Sequence, residues 1–149
     1  MNGYYLSIGS NLNSTIAVPK CLKLLHQLLN VSKESSIYET PPLGPAGGNL
    51  FWNLVVEITT PLDRKSLDQE LKKIEAGLGR KRDPKNKYAA RPIDLDILPQ
   101  EGYELQPFIM IPLAEIAPEE KDPQTGKKFR ELAENFPKEK KGYKIIYLS

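Results

Sequence analysis

Two aspartates one residue apart, Asp94 and Asp96, close the most chemically loaded stretch of the chain, Gly79 to Leu98 (GRKRDPKNKYAARPIDLDIL). The run Pro92-Ile93-Asp94-Leu95-Asp96-Ile97-Leu98 alternates polar and apolar residues. That pattern predicts a strand with both carboxylates on one face, roughly 6.5–7 Å apart along the chain. Carboxylates that close repel each other unless a cation sits between them, and hard oxygen donors on a rigid edge suit Mg²⁺. Upstream, Arg80, Lys81, Arg82, Lys85, Lys87 and Arg91 set six positive charges against one, Asp83. A dense cationic loop beside a dicarboxylate strand meets the needs of a polyphosphate and its metals. Its bland counterpart is a solvated basic loop followed by an ordinary strand.

Other residues carry weaker signals. Phe51 and Asn53 share a face of one strand, a flat ring beside an amide that both donates and accepts, which suits a planar heterocycle with polar edges. The loop from Thr40 to Gly48 has a stiff, proline-fixed first half and a flexible Ala-Gly-Gly second half. Gly9, before Ser10-Asn11, allows close approach to the backbone but also fits a plain strand-to-helix turn. Glu75, next to the helix stripe ending at Leu78, is expected to point away from that stripe, near the start of the basic loop. His26, the only histidine, lies far from the carboxylates and reads as structural or exposed.

These groups must be held by a scaffold, and 149 residues suffice for one domain, 1–149, with a core that needs no staples. Net charge is +2, so any electrostatic preference is local to residues 80–91. The single Cys21 excludes an internal disulfide, and no Cys/His cluster suggests zinc. There is no apolar run of membrane-spanning length and no signal-like leader, so a cytoplasmic monomer is expected.

In chain order, Tyr4 to Ile8 predicts a strand. Ser14 to Leu29 predicts an amphipathic helix with Ser14 as N-cap and Pro19 near its first turn. Val31 to Tyr38 and Phe51 to Thr59 predict strands. Thr60-Pro61-Leu62-Asp63 resembles a capping box, and Leu67, Leu71, Ile74 and Leu78 form the stripe of a second helix that Gly79 stops. After Leu98, Tyr103 to Ile111 suggests one short strand, Pro112 to Pro118 a helical turn, Lys128 to Asn135 a helix and Tyr143 to Leu148 a last strand. The order β-α-β-β-α-β makes an α+β, ferredoxin-like sheet with helices packed on one face, plus a C-terminal helix and strand.

Five strings occur in one order: Thr40-Pro41-Pro42-Leu43-Gly44-Pro45, Asn53 two residues after an aromatic, Gly79-Arg80-Lys81-Arg82, Arg91-Pro92-Ile93-Asp94-Leu95-Asp96-Ile97-Leu98, and Pro112-Leu113-Ala114-Glu115-Ile116-Ala117-Pro118. Together with Ile8-Gly9-Ser10-Asn11 they closely resemble the 6-hydroxymethyl-7,8-dihydropterin pyrophosphokinases of folate biosynthesis, over residues 4–118. That family moves pyrophosphate from ATP to the pterin hydroxymethyl. The resemblance implies that Asp94 and Asp96 hold two Mg²⁺ ions, with Asp94 also near the pterin. It implies Phe51 and Phe108 on the two faces of the pterin, and Asn53 with Thr40, Pro41 and Leu43 on its polar edge. Arg80 and Arg91 would act on the triphosphate with Arg82 nearby. Glu75 would help organise the site, Ile97 would meet the nucleotide, and Tyr88 would stand in for a loop tryptophan.

One departure stands out. Between the D-L-D-I run and Phe108 the family carries a longer segment, with a Pro-His motif and basic residues for ATP. Here Pro99 to Pro107 fills that interval without a His, Arg or Lys, and Gln106 stands where an arginine is expected. If each charged contact contributes about 1.5–3 kcal/mol, losing several weakens ATP binding by a few powers of ten. The expectation is a working enzyme with a reduced nucleotide site. The alternatives are a pterin-binding relative with weak or no transfer and an RNA-binding ferredoxin-like module. The last would need an RNP-like aromatic string that the sequence lacks.

Overall fold

Leu54, Val56 and Ile58 alternate with Val55 along one strand, and all four are buried. A strand apolar on both faces needs cover on both sides, and that requirement sets the architecture. The computed structural model describes residues 1–40, 49–80, 90–137 and 143–145. Its elements are β1 (Asn2–Ser10), α1 (Ser14–Leu28), β2 (Asn30–Glu34), β3 (Ile37–Thr40), β4 (Phe51–Thr60), α2 (Arg64–Gly77) and β5 (Asp94–Leu98). A 3₁₀ turn (Tyr103–Leu105), α3 (Pro107–Ile116), α4 (Phe129–Glu134) and β6 (Tyr143–Ile145) follow.

The sheet runs β5-β1-β4-β3-β6, with β2 also paired to β4. Its named pairings are antiparallel. Taken together as one broken strand, β2 and β3 give the expected ferredoxin-like order. The break falls at Ser35 and Ser36. There Ser35 N donates to the Val55 carbonyl, and Val55 N donates to Ser35 Oγ, each at 2.9 Å.

On one face, Leu6, Ile8, Leu54, Val56, Leu95 and Ile97 meet Val18, Cys21 and Leu25 of α1 and Leu67, Leu71 and Ile74 of α2. These two helices lie on one face as expected. The opposite face is covered as well, because Val55 and Leu98 pack with Tyr103, Met110, Leu113 and Phe129. Hence α3 and α4 form a second layer, at the end of the sheet where β1 begins. Burial on this scale, about 25 cal/mol per Å² of apolar surface, is the main term holding the layers together.

Several local expectations are corrected. The stretch read as a short strand before Ile111 is instead the 3₁₀ turn and the first half of α3. All four residues of Phe108-Ile109-Met110-Ile111 are apolar, so period alone could not separate strand from helix; Pro107 stands at the first helical position. Asp63 is itself the N-cap of α2, its carboxylate accepting from Ser66 N at 2.8 Å. Helix α1 is capped by Asn13 in the left-handed region (φ 52°), and Pro19 lies within it. Of the last expected strand, Tyr143–Ile145 is seen paired with β3, and residues 146–148 lie outside the described residues. Among the described residues, no helix is long and apolar enough to cross a membrane.

Candidate active site

Among the described residues, the α3 side of the sheet is uncovered where β1 and β3 end and β4 and β5 begin. Register fixes what gathers there. Gly9 of β1 pairs with Asp94 of β5 on one side and with Asn53 of β4 on the other, while Ser7 pairs with Asp96. Alternation therefore turns both aspartates to the same face, as the spacing predicted. They line a cleft of about 290 Å³ with Ser7, Gly9 and Arg91, near the lower end of small-ligand clefts, roughly 300–1,000 Å³.

The other side of this cleft is aromatic and amide. Phe51 and Asn53 come from β4, Thr40 from the end of β3, and Phe108 from the first turn of α3. Asn53 is buried and donates through Nδ2 to Thr40 Oγ1 at 2.8 Å. The short Pro99–Pro107 segment contributes Gln100 and Gln106 to the lining, where cations were missing from the sequence. Pro41, Leu43, Arg82 and Tyr88 lie outside the described residues.

Asp94 is gripped by two arginines. Arg80 Nη1 donates to its Oδ1 at 2.6 Å, and Arg91 Nη1 lies 3.6 Å from its Oδ2. The same Arg80 nitrogen donates to Glu75 Oε2 at 2.6 Å, and Leu95 N donates to that oxygen at 2.7 Å. Burial opposes the charge on Arg80, but Asp94 and Glu75 outweigh it and raise its pKa above the ordinary value. Glu75 is therefore not turned away from the core side of its helix. It is 3% exposed and braces β5.

Among the described strands β5 ends the sheet, so its outer backbone groups need partners. Helix α2 supplies them at both ends, with Glu75 on Leu95 N and Arg64 Nη2 donating to the carbonyls of Ile97 (3.1 Å) and Pro99 (3.2 Å). The side chain of Ile97 is in the core, which leaves only its backbone for a ligand. Beside the cleft runs a shallower groove of about 460 Å³, lined by Arg64, Lys65, Asp68 and Ile97; Asp96 and Gln100 line both recesses.

Sequence reasoning gave Asn11 no role, yet it fixes Arg91. Asn11 N donates to the Arg91 carbonyl at 3.1 Å, and Arg91 N donates to Asn11 Oδ1 at 2.8 Å. Nothing in the spacing of residues 11 and 91 could reveal this; the only sign was an asparagine following Gly-Ser at a strand end. The residues fit a hard divalent cation in part. Among the described residues, no group of three or more Asp, Glu, His or Cys side chains could hold a metal. Two carboxylates are what Mg²⁺ commonly takes when phosphate oxygens and water supply the remaining ligands.

Cleft and scaffold define an enzyme that works on small molecules, with paired carboxylates and arginines on one side and an aromatic, amide-edged slot on the other. Residues 5–118 match the family model described as 7,8-dihydro-6-hydroxymethylpterin-pyrophosphokinase. The chain is 36% identical to the 2-amino-4-hydroxy-6-hydroxymethyldihydropteridine pyrophosphokinase of Bacillus subtilis, over 75% of this chain and 76% of that protein. It is 34% identical to the protein of that name from Haemophilus influenzae, over 76% and 80%, and 32% to that from Aquifex aeolicus, over 76% and 79%. The chain belongs to this pyrophosphokinase family of transferases.

Proposed function

We propose that the protein transfers pyrophosphate from ATP to the hydroxymethyl group of 6-hydroxymethyl-7,8-dihydropterin, with Mg²⁺, giving AMP and the pterin pyrophosphate. The hydroxyl oxygen bonds to the β-phosphorus, the bond from that phosphorus to the AMP oxygen breaks, and the hydroxyl proton is lost. The observation that carries the reading is that Asp94 and Asp96 share one cleft with Phe51, Asn53, Thr40 and Phe108. Asp94 and Asp96 would hold the Mg²⁺, which when bound neutralises phosphate charge.

The chain's own residues do the rest. Phe51 and Phe108 give the pterin ring apolar cover, while Asn53, held by Thr40, reads its polar edge. Arg91, fixed by Asn11, and Arg80, fixed by Glu75, meet the negative charge that builds on the phosphates. No covalent intermediate is needed, because the acceptor is itself the nucleophile; the protein's task is alignment and electrostatics. The groove beyond Asp96 takes the nucleotide, and Arg64 and Lys65 of α2 replace charges that Pro99–Pro107 lacks. This places the two substrates on either side of Asp96.

The test is purified protein with ATP, Mg²⁺ and the pterin, followed for AMP. AMP that depends on the pterin supports the assignment. Pterin binding without AMP would leave only a binding protein, and RNA binding that falls steeply with salt but ignores Asp94 and Asp96 would favour the RNA module.

A further inference from the structure

Arg80 holds Asp94 Oδ1 and Glu75 Oε2 through one nitrogen, and its side chain is only 10% exposed. Glu75 is anchored independently by Leu95 N. Asp94, by contrast, is 31% exposed on the cleft side. The guanidinium can therefore leave Asp94 and keep a buried carboxylate partner. Resting on the reading above, we infer that Arg80 is a stand-in counter-ion for Asp94, which gives way only when a cation arrives together with polyphosphate.

A divalent cation entering alone meets an acidic pair of which one member is already neutralised, and it must approach a fixed positive charge. Among the described residues, no third acidic, histidine or cysteine side chain joins this pair in a group that could hold a metal, and Glu75 is committed to Arg80 and Leu95 N. A nucleotide's phosphates change both sides of the exchange. They bring additional oxygen ligands for the cation and a new anionic partner for the released Arg80. Cation and nucleotide are then thermodynamically coupled, each strengthening the other's binding to the same degree. Arg80 thus keeps the acidic pair from filling with metal before the nucleotide is present.

Mn²⁺ is the probe, with free ion counted by electron paramagnetic resonance, protein alone and with α,β-methylene-ATP, and only the binding beyond that of the protein-free analogue is counted. The wild type should bind Mn²⁺ weakly alone and much more tightly with the analogue. Arg80→Gln should bind Mn²⁺ alone about tenfold tighter, because one repelling charge is gone, and should show weaker coupling to the analogue. Arg80→Lys, which keeps the charge, should stay within about twofold of wild type, the size of a small uncompensated change. Equal or weaker Mn²⁺ binding by Arg80→Gln overturns the inference. Should that variant not fold, the Arg80 Nε–Hε resonance of the wild type decides. It should move with Mg²⁺ and analogue together and stay in place with Mg²⁺ alone; movement with Mg²⁺ alone overturns the inference. Cation binding that survives Asp96→Asn with the analogue present would sink the underlying site assignment instead.

Discussion

The side chain of Asn53 lies across Gly9, so close that a Cβ at residue 9 would meet Asn53 Oδ1 at 3.3 Å. Asn53 has little room to yield, because its Nδ2 is tied to Thr40 at 2.8 Å. Gly9→Ala should lower the melting temperature only through this contact, since Gly9 has no positive φ to defend. Pterin affinity should fall about tenfold, the cost of a slightly misplaced hydrogen-bonding group. Calorimetric titration with the pterin checks this, and an unchanged affinity would remove Asn53 from the recognition edge.

Asp94→Asn and Asp96→Asn should each lower the transfer rate by about a thousandfold or more, as expected when charge stabilisation of a phosphoryl transfer is lost. Asp94→Asn should also lower stability. Asp94 is bonded to Arg80, so its neutralisation leaves a nearly buried guanidinium with Glu75 as its remaining ion-pair partner among those described. That should cost about 1–3 kcal/mol in urea unfolding. A variant of either aspartate that keeps most of its turnover would contradict the metal assignment.

How much of this was readable beforehand depends on the range of each interaction. Alternation placed Asp94 and Asp96 on one face, and the β-branched Val55, Val56 and Ile58 marked Phe51 to Thr59 as a strand, because both are local patterns. Glu75 was misjudged for a local reason too. It sits four residues after Leu71 and three before Leu78, at the rim of the apolar stripe rather than opposite it, and Arg80 and Leu95 draw it inward. The pair of hydrogen bonds between Asn11 and Arg91 spans eighty residues and leaves no periodic trace. The second helical layer escaped because α3 is apolar on nearly all sides, and only the sheet it packs against tells which side is buried.

Acid should loosen the second layer through Asp122, which is 1% exposed and bonded to Tyr103. Burial works against its charge, but hydrogen bonds from Tyr103 and Thr125 and from the Thr125 and Gln124 backbone prevail, holding its pKa below the ordinary value. A depressed carboxyl pKa contributes stability that is complete above the unfolded value, about 3.9, and is lost as pH falls through the folded value. The urea midpoint should therefore drop below about pH 4, and Asp122→Asn should flatten that slope. Asp63 and Glu119 are shifted in the same direction, so the slope should shrink rather than vanish. An unchanged slope in Asp122→Asn would exclude this carboxyl as its source.

Glu115 fastens the wall that carries Phe108 to the strand that carries Thr40. Its Oε1 accepts from Ser36 N at 2.9 Å and from the Tyr38 hydroxyl at 2.7 Å, and its Oε2 accepts from Ser36 Oγ at 2.8 Å. Glu115→Ala strips all three donors of their acceptor and should cost about 2–3 kcal/mol, charge-assisted bonds being non-additive. With α3 loosened against β3, KM for the pterin should rise several-fold while kcat stays within about threefold, because the phosphate-handling arginines are attached elsewhere. Glu115→Gln separates geometry from charge. Its carbonyl oxygen can keep the bonds from Ser36 N and Tyr38, and its amide can donate to Ser36 Oγ, which reverses that bond without breaking it. The glutamine variant should therefore stay close to wild type in both melting and KM. If it fails as badly as alanine, the clamp depends on negative charge near Ser36 rather than on matched donors and acceptors.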